Sequence, residues 1–184
     1  MFILFWPLAA CGGAGGPMDA ARLSDFETLV QYAAALDVTP AAQLPDSGAV
    51  AYGGAVVLNL PTGGAHLAHI ADLAVTVNFG PADTPMTGTL DNFQAVDGSS
   101  LGGVLTISGG AFDPGADPGT AYQFTALLSG NLSDAGNTYV IDGDIAGDFR
   151  GRNGDAILGV VYGDITGPAG VDIFDGAFAA TALP

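Results

Sequence analysis

Apolar and polar residues alternate with a period of two along most of this chain, from about residue 50 onward. Strict alternation is typical of a half-buried β-strand, and the segments between the alternating runs are rich in Gly, Pro, Asn and Asp, the residues that form tight turns. The pattern therefore predicts about eight strands joined by short turns. The predicted strands span residues 50–60, 67–79, 86–93, 101–108, 122–132, 138–150, 156–165 and 171–180.

The segments between these strands are too short to hold crossover helices, so neighbouring strands must run antiparallel. About eight antiparallel strands suit closure into a barrel whose interior is filled by side chains. The predicted fold class is therefore all-β: a small antiparallel up-and-down β-barrel preceded by one short amphipathic helix.

The strand over residues 138–150 shows the two faces clearly. One parity is apolar or glycine and is expected to face inward: Tyr139, Ile141, Gly143, Ile145, Gly147 and Phe149. The other parity is expected to face water: Asp142, Asp144, Ala146, Asp148 and Arg150. Inward glycines are expected where a tightly coiled small barrel has no room for side chains, or where a large neighbour, such as Phe149, lies across the strand. The bulky inward residues predict a packed barrel.

The period changes to that of a helix between residues 17 and 36. Apolar residues recur there at spacings of three and four: Leu23, Phe26, Leu29, Val30, Ala33 and Leu36. Pro40 and Pro45 then break the helix, because proline lacks the backbone donor. We therefore assign residues 17–47 to an N-terminal helix and Pro-rich linker and residues 48–184 to the barrel domain. We expect the first segment to be separable from the second.

The N-terminus carries a short apolar run that ends in Leu8-Ala9-Ala10-Cys11. This order resembles a bacterial lipobox, in which a small-residue site is cleaved before a cysteine whose thiol carries the lipid. Residues 1–10 are then a signal peptide whose true start lies upstream, because secretory signals are longer and begin with a basic region. Residues 11–16 form a Gly-rich tether. The alternative is an apolar segment with a buried free cysteine.

The net charge of the chain limits the classes of partner that it can bind. Three Lys and Arg residues stand against 19 Asp and Glu, giving a formal net charge of −16, yet 49% of the residues are hydrophobic. Such a chain folds, but phosphate backbones repel it, which excludes nucleic acid as a partner. Anionic lipid headgroups repel it as well, so attachment to a membrane needs a covalent lipid, predicted on Cys11.

The sequence offers no catalytic or metal motif. His66 and His69 are separated by two residues on a predicted strand, which places them on opposite faces and argues against a metal site. No serine stands in a nucleophile-elbow pattern, and the one cysteine is the predicted anchor. We therefore expect no enzyme activity and no cofactor. The acidic residues between 142 and 175 could suit Ca²⁺, but they form no calcium-loop motif, and a solvated acidic face is the default interpretation.

The segment 147–163 resembles the late hairpin in the β-barrel domains of transferrin-binding protein B and its relatives, which include factor H binding protein-type barrels. The family pattern is Gly-x-Phe-x-Gly, a short turn, an Ala, then two glycines before an aromatic residue. The matching residues are Gly147, Phe149, Gly151, Ala156, Gly159 and Tyr162, while Leu158 replaces one of the paired glycines. The resemblance implies a lipid-anchored barrel of the bacterial outer membrane or cell surface that binds a protein or small ligand without catalysis. A periplasmic location is the alternative.

Two other functions stay open at the level of sequence. One is a structural or adhesive component of the cell envelope, which would differ from a binding protein in lacking a saturable partner. The other is a lipocalin-like carrier of a small apolar molecule. The bulky residues predicted to fill the barrel argue against the carrier.

Overall fold

The computed structural model describes residues 20–63, 65–80, 85–117 and 120–184, and in those ranges it contains one α-helix and one short 3₁₀ helix followed by eight strands. The helix α1 spans Ala20–Ala35, and a short 3₁₀ helix follows at Ala41–Gln43. The strands are β1 Ala49–Thr62, β2 Ala65–Asn78, β3 Met86–Ala95, β4 Ser100–Phe112, β5 Phe124–Asp134, β6 Asn137–Arg150, β7 Ala156–Gly167 and β8 Gly170–Ala182. No helix among the described residues has the length and apolar character needed to span a membrane.

The eight strands form a closed antiparallel barrel in sequence order, β1 to β8, as the alternating pattern predicts. Closure comes from β1, which pairs with β2 on one side and with β8 on the other. Val56, for example, lies opposite Ala71 and opposite Phe178. The predicted all-β barrel with a short helix is therefore confirmed.

Side chains fill the barrel interior. Its buried core draws on every strand, as Leu58, Leu105, Leu128 and Ile145 illustrate with no measurable exposure. Phe149 lies at the centre of an aromatic cluster near the end where β6 finishes. Its ring centroid is 5.1–6.3 Å from those of Phe124, Phe79, Phe112 and Tyr52.

Two pairs of inward glycines make room for aromatic rings from β8. Gly143 lies opposite Gly163, and Gly147 lies opposite Gly159. A Cβ atom on Gly147 would lie 2.8 Å from Cζ of Phe178 and 2.9 Å from Cζ of Phe124. The prediction of inward glycines beneath a large ring is right in kind. The rings against these four glycines belong to Phe124 of β5 and to Phe174 and Phe178 of β8, and not to Phe149.

Helix α1 packs on the outer wall of the barrel, mainly over β7, β8 and β1. Ala33 is fully buried against Ala156 and Ala179, because three small side chains let the helix approach the sheet closely. Every residue of the predicted apolar face is buried or partly buried, whereas Tyr32 on the other side of the helix is exposed. At its N-terminal end Arg22 forms an ion pair with Asp72 of β2 at 2.6 Å.

The linker after α1 closes one end of the barrel. Thr39 N–H donates to the Phe149 carbonyl at 2.8 Å, and Gly151 N–H donates to the Asp37 carbonyl at 2.9 Å. Leu44 joins the hydrophobic core of the barrel. Prolines end a helix without preventing the chain beyond them from packing, and the separability of the N-terminal segment from the barrel stays a prediction.

The prediction that Asp148 faces water is wrong. Its parity points outward, as predicted, but its side chain is buried and does not face water. The chain between β4 and β5 covers it: Gln123 N–H donates to Asp148 Oδ1 at 3.2 Å, and Arg150 lies 3.4 Å from Oδ2. The side chain of Gln123 ties this loop to the linker as well, donating to the Thr39 carbonyl at 2.8 Å.

Candidate functional site

A concave pocket opens at the end of the barrel opposite the linker, where three hairpin turns meet. We call it the rim pocket, and its volume is about 340 Å³. The turns between β1 and β2, β5 and β6, and β7 and β8 supply its walls. Residues that define it include Pro61, His66, Asn137, Tyr139, Ile165 and Asp172.

Tyr139 connects two of the three turns. Its hydroxyl accepts a hydrogen bond from Gly63 N–H at 3.3 Å and donates one to Asp134 Oδ2 at 3.3 Å. Asn137 donates to the other oxygen of Asp134 at 3.0 Å, which closes the β5–β6 turn. The pocket floor is therefore fixed by hydrogen bonds before any ligand arrives, which lowers the cost of ordering on binding.

Gly167 lets the Tyr139 ring lie against the β7–β8 turn. A Cβ atom at Gly167 would lie 2.8 Å from Cδ1 of that ring, closer than van der Waals contact. The absence of a side chain at this position therefore helps to shape the pocket.

The mouth of the rim pocket combines polar and apolar groups. His66 Nε2 lies 3.7 Å from Asp172 Oδ2, and both side chains are about half exposed. Ile165 supplies a buried apolar wall, and Val171 is exposed at the edge. Such a mixture of a few oriented polar groups on an apolar surface is typical of binding pockets.

The two histidines lie in different environments. His69 is buried inside the barrel, where its Nδ1 is 3.0 Å from the Leu67 carbonyl, whereas His66 is exposed at the rim. The described residues contain no grouping of three or more His, Cys, Asp or Glu side chains suited to a metal ion.

Burial lowers the pKa of His69 below its ordinary value of 6.5. The hydrogen bond with the Leu67 carbonyl and the carboxylates of Asp97 and Asp134 oppose this shift only in part. The folded protein therefore takes up a proton on His69 less readily than the unfolded chain. Its contribution to stability is complete above pH 6.5 and is lost as the pH falls through and below that value.

We expect His69→Asn to flatten the decrease in the free energy of unfolding between pH 7 and pH 5, because asparagine does not titrate. Denaturant titrations at several pH values in that range measure the slope. The unaltered chain supplies the reference slope. An unchanged slope in His69→Asn would contradict the assignment.

The residues singled out from the sequence divide into structural and surface positions. Gly147 and Gly159 face each other across β6 and β7, and Phe149 lies in the core. Gly151 adopts a φ of +83° in the β6–β7 turn, where glycine is favoured. Ala156 lies beneath α1.

Tyr162 differs from the other hairpin residues, because it points outward and its side chain is exposed. Cys11, the predicted lipidation site, lies outside the described residues.

Sequence reasoning did not find the rim pocket. The sequence did predict a turn between the strands over 122–132 and 138–150, and it predicted Tyr139 to face inward. The meeting of these residues with the β1–β2 and β7–β8 turns depends on barrel closure. Comparison with known protein families and with curated proteins found no match to this chain.

Proposed function

We propose that this chain is a non-catalytic binding protein of the bacterial cell envelope, similar to the barrel lipoproteins of the transferrin-binding protein B type. Lipid on Cys11 holds it at the outer membrane or cell surface, and the barrel binds a protein or small ligand. The lipobox-like sequence and the hairpin pattern around Phe149 support this class.

The rim pocket is the observation that carries the binding role. It is a preformed concave surface at one end of a rigid barrel, with its floor fixed by Tyr139 and Asp134. The interior is filled by core side chains, so recognition takes place on the surface and not in a central cup. This favours a binding protein over a lipocalin-like carrier.

Replacing Cys11 with alanine is expected to abolish incorporation of radioactive fatty acid and to release the protein from membranes, because the thiol is the proposed site of lipid attachment. Labelling of cells followed by membrane fractionation measures both. Cells expressing the unaltered chain provide the control. Retention of label and membrane association in Cys11→Ala would refute the proposed anchor.

The binding role has a separate test. Immobilised protein should capture a partner saturably from culture medium or host fluid. Absence of saturable capture from all of these sources would favour the alternative function, a structural or adhesive envelope component.

A further inference from the structure

The outer wall of β5–β8 exposes large apolar side chains next to carboxylates. We call this surface the acidic face and define it by five apolar and four acidic residues. They are Leu127, Val140, Tyr162, Val171 and Ile173, with Asp142, Asp144, Asp164 and Asp175. Ile173 and Val171 are 70% and 68% exposed, so the folded barrel leaves most of their surface in water.

Strand register places these residues together. Asp142 lies opposite Asp164, which lies opposite Ile173, so the three form one row across β6, β7 and β8. In the adjacent row, Tyr162 lies between Asp144 and Asp175. Tyr162 and Ile173 therefore have carboxylates as their immediate neighbours.

Both features are unfavourable for the isolated barrel. Like charges directly opposite each other destabilise a sheet, as Asp142 and Asp164 do here, and contiguous exposed apolar side chains mark interaction surfaces. Part of the outer wall of β2–β4 carries small residues instead: Ala74, Thr76, Thr87, Thr89, Thr106 and Ser108.

We propose that the acidic face is the docking site for a basic amphipathic segment of a partner protein, one whose apolar stripe is bordered by Lys or Arg. This inference rests on the proposed binding function and names the chemistry of the partner. Lysines of such a segment would neutralise the facing carboxylates while its apolar stripe covers Tyr162 and Ile173.

Charge complementarity selects this occupant over a second copy of the chain. The chain has three cationic residues, and none lies on the acidic face: Arg22 pairs with Asp72, Arg150 pairs with Asp148, and Arg152 lies in the β6–β7 turn. Two acidic faces would repel each other, whereas a basic segment is attracted and steered to the surface.

The test uses the purified full chain and a fluorescent 16-residue peptide of Leu and Lys, arranged so that a helix would display a leucine stripe bordered by lysines. Fluorescence anisotropy gives the Kd. We expect Asp142→Asn/Asp164→Asn and, separately, Ile173→Ser each to weaken binding about tenfold. Binding should also weaken as salt is raised.

Asp25→Asn/Glu27→Gln is the matched control, because it removes two exposed carboxylates from α1 and should change the Kd by less than about twofold. An equal loss in this control would show only long-range attraction and would overturn the proposal. So would equal binding of a peptide with Glu in place of Lys, or a dimer in sedimentation that Ile173→Ser dissociates.

Failure of this inference is distinguishable from failure of the proposed function. Saturable capture of a partner without any effect of the acidic-face variants would remove the docking site and leave the binding role. Loss of the Cys11 anchor would leave the peptide measurements unaffected.

Discussion

Replacing Phe149 with alanine is expected to lower the free energy of unfolding by about 3–5 kcal/mol, the usual cost of emptying a large aromatic core site. Phe149 has no measurable exposure, and four aromatic rings surround it at centroid distances of 5.1–6.3 Å. Its backbone also anchors the linker through the bond from Thr39, so the cavity would form where barrel and linker meet. Denaturant unfolding measures the loss.

Asp144→Asn is the control from the other parity of the same strand. Asp144 faces outward beside Tyr162, so its replacement should change stability by no more than about 0.5 kcal/mol. Asp144→Asn removes one of several neighbouring negative charges, so the loss of repulsion should stabilise the folded barrel, most strongly at low salt. Comparable losses in both variants would contradict the register of β6, and a large loss at Asp144 alone would indicate a site that depends on its carboxylate.

Much of the barrel follows from local pattern. Turn residues separate the runs, and a period of two decides which side chains face the core. The strand over 138–150 was predicted within one residue of β6, and Tyr139, Ile141, Ile145 and Phe149 are buried as their parity predicts. Antiparallel order required only that the connections be short.

The failures arise where distant segments cross a strand. Asp148 was predicted to face water because its neighbours in sequence say nothing about the loop that reaches it through Gln123. The entry of Leu44 into the core was likewise not predicted from local pattern, whereas the separability of the N-terminal segment stays a prediction. The rim pocket depends on three turns that meet only when β1 pairs with β8.

The acidic face could be predicted from the sequence only in part. Alternation predicted outward Asp142 and Asp144, but the cross-strand neighbours come from register, which a single strand does not reveal. The exposure of Ile173 was likewise not visible from its residue type, since isoleucine is more often buried.

The inward glycine pairs lead to the second large effect. Gly159→Ala is expected to destabilise the barrel by about 3 kcal/mol, the upper part of the usual range for overpacking a core. The added Cβ would overlap the Ala146 carbonyl oxygen and lie 2.6 Å from the Gly147 Cα. These are backbone atoms of β6, so side-chain rotation cannot relieve the clash. The usual gain from stiffening the unfolded chain, about 0.4–1 kcal/mol, is too small to offset it.

Gly115→Ala is the matched control, because a Cβ there meets only Asp113 Oδ1 at 3.6 Å, an ordinary contact, among the described residues. It should leave stability unchanged or raise it slightly.

Phe178→Leu separates two causes of the loss at Gly159, since Phe178 Cε1 would lie 2.7 Å from the new Cβ. If backbone overlap dominates, Gly159→Ala should cost nearly the same in the Phe178→Leu background, and a double-mutant cycle measures the difference. Full rescue by Phe178→Leu would show that the ring, and not the approach of β6 to β7, is what requires glycine at this position.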